Sequence, residues 1–259
     1  MRRSTPSSSA IQRAAPVLLT PAAFLAVFVI GWEVLVRVLH VPAYLVPRPS
    51  QLLNSVPADI GSHIWITAEE VALGFVVANL LAFVSAIAFA QSRTLERGLY
   101  PIAIALKTTP LVAIAPLLVL WFGTGLASKV VAAALISFFP MLVNTIKGVR
   151  SIGADENELF LALRANRRDR LLRLQLPTAL PYIFAALKIS SSLAVVGAIV
   201  GEFVGAKAGL GFLILQSSYH LDSAALFVTI ILAALLGFAL FGAVCVVERL
   251  VCTWEQVEA

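Results

Sequence analysis

Long apolar stretches separated by short polar segments run along most of this chain. A helix that crosses a bilayer needs about 20 mostly apolar residues, because each residue rises about 1.5 Å and the hydrocarbon layer is about 30 Å thick. Six stretches reach or approach that length, at residues 17–39, 71–90, 99–122, 130–146, 179–204 and 223–247. The pattern predicts an all-α polytopic membrane protein with six transmembrane helices and both termini on the same side.

The first 63 residues contain the least regular pattern. Residues 1–16 carry Ser, Pro and Arg without an apolar face, which predicts a disordered tail. Together with the first apolar stretch they could form a cleavable signal peptide. Because that stretch is long and no small-residue cleavage site follows it directly, we expect it to be retained as the first transmembrane helix. Residues 41–63 contain four prolines and predict an external loop, so residues 17–63 form the first helix with its loop.

The remainder divides into a membrane core at residues 64–249 and a C-terminal tail at residues 250–259. Within the core, residues 209–219 are apolar but too short to span a bilayer. They predict a short helix at the outer membrane surface.

A charged insert, residues 155–177, separates the fourth and fifth apolar stretches. Asp155 followed by Glu158, and Asn166 followed by Asp169, have the spacing of helix N-terminal caps. Leucines recur at helical spacing after each pair, until Pro177 disfavours continuation of the helix. The insert predicts two short amphipathic helices joined near residues 164–166. Two such helices cannot bury their apolar faces alone. These faces could be buried in the groove of a partner protein, or they could rest on anionic lipid that the arginines attract.

Composition and charge support a membrane location. Apolar residues make up 60% of the chain and charged residues 13%, whereas soluble domains have about 45–50% and about 25%. The net charge of +5 does not indicate nucleic-acid binding, because the basic residues lie at the ends of apolar stretches. With the N-terminus inside, thirteen Lys and Arg residues are cytoplasmic and four external, an asymmetry that favours cytoplasmic termini and a cytoplasmic insert.

The insert resembles the cytoplasmic loop of type-1 permease subunits of ATP-binding cassette importers. The family pattern begins Glu-Ala-Ala, has a glycine six residues after the glutamate and ends in Leu-Pro. Here Glu158 begins the pattern and Leu176-Pro177 ends it, while Arg164 occupies the glycine position. Asn166 tolerates the left-handed conformation, so we expect the turn there instead.

The resemblance continues through residues 64–249. The motifs LKTTP at residues 106–110, APL at 115–117, LWFG at 120–123 and LPTALP at 176–181 resemble the subfamily for nitrate, sulfonate, taurine and pyrimidine precursors. The run AVVGAIVGEF at residues 194–203, followed by GLG, is similar to the branch for thiamine-pyrimidine or riboflavin-type solutes.

This resemblance implies a type-1 permease fold in a bacterial inner membrane. It also implies a homodimer that works with two ATPase subunits and an extracytoplasmic solute-binding protein. The loop is then a coupling helix that docks on the ATPase, and the family pattern assigns this contact to seven residues: Glu158, Ala162, Arg164, Ala165, Asn166, Leu176 and Pro177.

The chain offers little chemistry of its own. It contains no Gly-x-x-x-x-Gly-Lys-Ser/Thr phosphate loop, so we expect ATP to be bound by a partner subunit and no cofactor by this chain. His40, His63 and His220 lack metal-ligand spacing, and we expect them in ordinary surface or interfacial roles. Cys245 and Cys252 lie at and after the end of the last apolar stretch, and we expect them to be packing residues. No nucleophile motif occurs, and we expect neither a catalytic nor a metal site.

Charges and glycines inside the spans are further candidates. Lys107, Lys188 and Glu202 lie within apolar stretches, where a charge normally faces protein or water. Each could line a translocation path or gate, or be structural through snorkelling or an interhelical pair. Gly197, Gly201 and Gly205 are spaced by four residues and predict close packing against another span or a second copy.

Two other function classes remain open from the residues. An ion- or proton-driven secondary transporter would need no ATPase, but it predicts more buried carboxylates than this chain offers. A membrane scaffold with a lipid-binding basic loop would need neither a solute nor an ATPase.

Overall fold

The computed structural model describes residues 8–252, which form helices joined by short connections. The α-helices are α1 (Ser8–Val38), α2 (Pro49–Leu52), α3 (Ile60–Gln91), α4 (Arg93–Thr108), α5 (Leu111–Phe122), α6 (Leu126–Val149), α7 (Ala154–Ala162), α8 (Arg167–Arg170), α9 (Leu176–Glu202), α10 (Leu210–Tyr219) and α11 (Ser223–Val251). A π-helical turn, Leu171–Gln175, joins α8 to α9. No strand occurs in this part of the chain.

The prediction of an all-α protein with six spans is confirmed. Within the described residues, five helices are long and apolar enough to cross a membrane, and the bent pair α4 and α5 makes a sixth span if counted as one. The first of these windows is Leu19–Val38, in α1. Exposed leucine, valine and phenylalanine side chains cover much of their surface, as expected of helices that face lipid.

The third span is broken, whereas the sequence pattern predicts a continuous helix over residues 99–122. Helices α4 and α5 meet at an angle of 102°. Thr109 has an extended backbone, with φ −73° and ψ 125°. The following Pro110 explains this break, because its ring disfavours a helical conformation in the preceding residue.

The helix of the fifth span begins earlier in the chain than predicted. The helix runs without interruption from Arg167 to Glu202, over 36 residues, so the second helix of the charged insert is the start of this span. The expectation that Pro177 ends a helix is wrong. In the π-helical turn before it, the Leu176 N–H donates to the carbonyl of Leu171. The wider turn makes room for the proline ring, which would clash with the carbonyl four residues earlier in a regular α-helix.

Several predicted boundaries also move. Helix α1 begins at Ser8, inside the segment predicted as a disordered tail, and α3 begins at Ile60, inside the predicted external loop. Helix α11 continues to Val251, two residues into the predicted C-terminal tail. Helix α10 closely matches the short helix predicted at residues 209–219. Arg2, Arg3 and the tail residues after Cys252 lie outside the described residues.

The chain divides into two compact units. The first consists of the residues up to Pro57 and of Ser217–Val228. In it Glu33 accepts hydrogen bonds from the backbone and hydroxyl of Ser50, at 3.1 and 3.0 Å, and from Arg37 at 2.7 Å. The Trp32 and Phe227 rings pack with their centroids 5.6 Å apart. These contacts provide partners for the two charges that interrupt the first apolar stretch.

The second unit consists of Ala58–Gln216 and the residues from Thr229 onward. Its core is formed by α3, α6 and α9, with alanines such as Ala82, Ala133 and Ala186 fully buried between them. Ser137 and Ser190 each donate a hydrogen bond to the other's carbonyl, at 3.3 and 2.8 Å. Small side chains let these helices approach closely, and the two hydroxyl groups connect α6 to α9 inside the core.

Candidate functional site

The charged insert has two exposed leucines on its first helix. Leu159 and Leu163 are 57% and 68% exposed and lie one turn apart, and Leu172 beyond α8 is 50% exposed. Glu158 and Arg168 are exposed beside them. An apolar stripe bordered by charges is the kind of helix surface that a partner's groove covers.

The end of α7 adopts a conformation that favours glycine. The Ala165 N–H donates to the carbonyl of Phe160 at 3.0 Å, and Arg164 between them has φ +51°. A hydrogen bond that joins the first and sixth residues of a turn, with a left-handed residue between them, is the Schellman motif. The left-handed residue of this motif is usually glycine. The turn therefore lies at Arg164, in the position of the family glycine, and the expectation that it moves to Asn166 is wrong.

Asn166 has another role, since it caps α8. Its side-chain oxygen accepts a hydrogen bond from the Asp169 N–H at 2.8 Å, which confirms the predicted cap at this pair. The predicted cap at Asp155 and Glu158 is wrong. Helix α7 begins at Ala154, and the Glu156 carboxylate accepts the N–H of Gly153 at 3.4 Å.

The insert is joined directly to the membrane core. The amide of Gln175, in the π-helical turn, accepts a hydrogen bond from Gln91 at the end of α3, at 3.0 Å. Leu174 is buried, and Leu176 and Pro177 are partly buried where the insert becomes α9. A displacement of the insert would thus act directly on a helix that reaches Glu202.

At the far end of α9, the carboxylate of Glu202 binds the start of α10. Its oxygens accept hydrogen bonds from the Thr67 hydroxyl at 2.6 Å and from the N–H groups of Gly211 and Phe212 at 2.6 and 3.2 Å. Thr67 in turn accepts the Leu210 N–H at 2.7 Å. Glu202 is 1% exposed. We call this arrangement the Glu202 clamp, formed by Thr67, Glu202 and the backbone of residues 209–212.

Three further side chains enclose the clamp. Buried Glu70 and Lys129 lie beside Glu202, and the Lys129 ammonium donates to the carbonyl of Thr124. His63 accepts the Gly209 N–H on Nδ1 at 2.9 Å and approaches Asp59 through Nε2 at 3.1 Å. This hydrogen bond from His63 lowers the pKa of Asp59. Gly209 has φ +111°, and a Cβ there would overlap the Glu202 carboxyl group.

Most of this arrangement does not follow from the sequence pattern. His63 was expected in an ordinary surface or interfacial role, yet it is buried. His63, Thr67 and Glu70 follow the i, i+4, i+7 spacing of one helix face. The four prolines in residues 41–63 predict a loop there. A helix that begins at Ile60 is therefore not expected, and without it the spacing of these three residues has no meaning.

The three charged candidates within the spans have different surroundings. Glu202 belongs to the clamp, and Lys188 forms an ion pair with Glu248 of α11 at 2.5 Å. Lys107 is exposed at the end of α4, with its ammonium 4.3 Å from the centre of the Phe139 ring. Only Lys107 among the three faces open space.

The three glycines do not form one packing surface. A Cβ on Gly197 would lie 2.5 Å from the Cα of Ala133, and one on Gly201 would lie 3.1 Å from the Cβ of Ala132. Both therefore pack against α6 of the same chain. Gly205 lies beyond the end of α9 at Glu202 and has φ +73°, so its prediction as part of that helix face is wrong.

No group of three or more His, Cys, Asp or Glu side chains that could hold a metal occurs in residues 8–252. The site has an exposed apolar stripe near one end of a long helix and a buried polar clamp at the other end.

Comparison with known proteins gives consistent matches. The family described as "Binding-protein-dependent transport system inner membrane component" matches residues 78–251. The formylaminopyrimidine transport permease protein ThiX of Halalkalibacterium halodurans is 32% identical, over 92% of this chain and 96% of that protein. The riboflavin transport system permease protein RibX of Chloroflexus aurantiacus is 35% identical, over 89% and 88%. The putative aliphatic sulfonates transport permease protein SsuC of Bacillus subtilis is 29% identical, over 92% and 87%.

Solved structures share the fold. Two inward-facing crystal forms of the MetNI methionine ABC transporter match with TM-scores of 0.61 and 0.64. Sequence identity is 20% and 18%, and each match covers 73% of this chain and 94% of the other.

Proposed function

Because the chain belongs to the binding-protein-dependent transport system inner membrane components, the permease subunits of ATP-binding cassette importers, we propose that it forms the translocation path for a small organic or anionic solute. The candidate solutes are a pyrimidine or vitamin precursor, a sulfonate, taurine or nitrate. A separate ATPase subunit binds ATP and drives transport, and this chain has no catalytic role.

The observation that carries this proposal is the uninterrupted helix from Arg167 to Glu202. One end continues from a segment whose leucines are exposed, and the other end holds the first turn of α10 through the Glu202 carboxylate. A force applied to the insert is transmitted along one rigid element to the clamp. This is the connection that a permease needs if a motor on one side is to open a path on the other.

The contact with the ATPase is assigned to the charged insert. Leu159 and Leu163 supply apolar surface, and the family pattern places Glu158, Ala162, Arg164, Ala165 and Asn166 around them. Leu176 and Pro177, which the family pattern also includes, lie where the insert joins α9 and are partly buried. They are positioning residues that transmit the movement of the insert.

The assembly consists of two copies of this chain, two ATPases and an external solute-binding protein. Both termini and the insert face the cytoplasm, and the Glu202 clamp faces the external side. The excess of arginine and lysine in the segments predicted to be cytoplasmic supports this orientation. Closure of the ATPases moves the two inserts, and the path then alternates between the two sides.

The test begins with the tagged full-length chain, purified from its own membrane and reconstituted into vesicles. We expect ATP hydrolysis to copurify with it and uptake of one of the candidate solutes to require ATP. Uptake should persist when the proton gradient is dissipated. A preparation without an ATPase whose uptake stops with the gradient would favour the secondary transporter. One that binds lipid but transports none of the solutes would favour the scaffold.

The coupling contact is tested separately with Glu158→Ala combined with Arg164→Ala. We expect the ATPase to dissociate more readily and uptake to fall, while the folded yield is unchanged because both side chains are exposed. Arg93→Ala, at an exposed arginine outside the insert, is the matched control. If the double variant retains full ATPase association and uptake, the coupling assignment is wrong.

A further inference from the structure

Three lysines lie in the helices of the membrane core, Lys129 in the first turn of α6 and Lys107 and Lys188 within apolar stretches, and they differ in how their charge is balanced. Lys188 pairs with Glu248 at 2.5 Å. Lys129 is buried beside Glu70 and Glu202. Lys107 has no carboxylate within ion-pair distance among residues 8–252, and its ammonium instead lies over the Phe139 ring. An unbalanced cation at this depth is costly unless it faces water or a ligand.

Lys107 borders a cavity at the break between α4 and α5. The cavity has a volume of about 490 Å³, and its walls include Leu135, Ile136 and Phe139 of α6 and Ile189 and Leu193 of α9. These residues lie near the middle of their helices. Lys107 is therefore close to the mid-depth of the bundle, where transporters with interrupted helices bind their solutes.

The lining of this cavity has one sign of charge. Among residues 8–252, Lys107 is the only ionisable residue that lines the cavity, and the other polar side chains there are those of Thr108 and Thr109. Both hydroxyl groups are uncharged and donate to the carbonyl of Ala105, at 2.9 Å each. The remaining walls are apolar. A solute here meets one cation, an aromatic ring and aliphatic side chains.

Building on the function proposed above, we propose that this cavity is a solute-binding site that selects a negatively charged group, with Lys107 as the counter-charge. The anionic group of a carboxylate, sulfonate or similar small solute lies against the Lys107 ammonium, and its less polar part lies against Phe139 and the aliphatic walls. The volume suits a small organic molecule. A cationic solute is repelled, since no carboxylate faces the cavity.

The electrostatic part of this proposal can be tested before the solute is known. Thr109 lines the same cavity and is exposed, so Thr109→Cys provides a reporter in a Cys245→Ser, Cys252→Ser background. The rates of modification by an anionic and by a cationic methanethiosulfonate reagent are measured in membranes that contain the assembled protein. The ratio of the anionic to the cationic rate reports the local potential.

We expect the Lys107→Gln variant to lower this ratio about tenfold, because removing a cation a few ångströms from the reporter makes the local potential less positive. Lys107→Arg should retain the ratio. Lys207→Gln, at an exposed lysine outside the spans, is the matched control and should leave it unchanged. A ratio that does not depend on Lys107 would overturn the proposal, as would a reporter cysteine that neither reagent modifies.

These outcomes are separate from those of the function test. Copurification of ATP hydrolysis with a ratio independent of Lys107 would leave the importer function intact and remove only the anion site. A Lys107-dependent ratio without an ATPase would support a charged cavity in a protein of another class.

Discussion

The two ends of the long helix that contains α9 differ in how their side chains are covered. At the Glu202 end, the carboxylate accepts hydrogen bonds from a hydroxyl and two backbone N–H groups, and all of these groups are inside the protein. At the insert end, Leu159 and Leu163 are more than half exposed, and Arg164 holds a backbone conformation that favours glycine. The contacts of Glu202 lie within the chain, whereas the leucines at the insert end are not covered by it.

This difference indicates where each end obtains its stability. A buried carboxylate must have hydrogen-bond donors from its own chain, because leaving donors or acceptors unpaired inside a protein costs about 1–3 kcal/mol each. Exposed leucines on a short helix gain nothing in the isolated chain but can be buried by a partner. Substitutions at the clamp should therefore change folding, whereas substitutions at the insert should change assembly.

The largest effect on stability is expected from Glu202→Leu. This change removes the acceptor of the Thr67 hydroxyl and of two N–H groups at the start of α10. We expect a loss of about 3 kcal/mol in the free energy of unfolding, measured as a lower Tm in detergent. Glu96→Gln is the control, because its ion pair with Arg150 is partly exposed and should contribute less than about 1 kcal/mol. Equal shifts in Tm would mean that the clamp does not hold the fold.

A smaller loss is expected from Gly197→Ala, near the C-terminal end of α9. The added Cβ would lie 2.5 Å from the Cα of Ala133 and 2.8 Å from the carbonyl oxygen of Ala132, so α6 and α9 must separate. Overpacking of this kind costs about 1–3 kcal/mol. Gly237→Ala is the matched control in another span, where the nearest atom is 3.5 Å away. If Gly197→Ala unfolds no earlier than Gly237→Ala, the close contact is not needed.

The sequence predicts the architecture well because apolar length is a strong signal. Six spans, the short helix α10 and the cap at Asn166 follow from local pattern alone. The break before Pro110 and the helix that continues through Pro177 do not, since the effect of a proline depends on the turn before it. The π-helical turn Leu171–Gln175 leaves no recognisable mark in a single sequence.

The candidate site was predictable in its exposed part only. The charged insert is visible as a polar interruption, and the family pattern identifies its residues. The clamp depends on contacts between positions as far apart as Thr67 and Glu202, and neither is unusual in its own segment. Lys188 and Lys107 look alike in sequence, and only the positions of Glu248 and Phe139 distinguish an ion pair from an open cation.

At the insert, Leu163→Asp should change assembly and leave folding intact. The side chain is 68% exposed. The free energy of unfolding of the isolated chain, followed through its Tm, should therefore change by no more than about 0.5 kcal/mol. A charge in place of a leucine that enters a partner's groove should weaken ATPase association at least about tenfold, or about 1.4 kcal/mol. The measurement is the dissociation constant for the ATPase in detergent. Leu53→Asp, at an exposed leucine outside the insert, is the control. Equal binding by both variants would place the contact elsewhere.

The smallest effect, and the only gain, is expected from Arg164→Gly. Arg164 has φ +51°, a conformation that costs an L-residue about 1 kcal/mol and glycine almost nothing. The variant should therefore stabilise the end of α7, and hydrogen exchange at the N–H groups of Leu163 and Ala165, which bond to Leu159 and Phe160, should slow several-fold. Ala165→Gly is the matched control, because its φ is not positive and a glycine there only adds flexibility. Faster exchange in Arg164→Gly than in the native chain would show that the arginine side chain itself holds the turn.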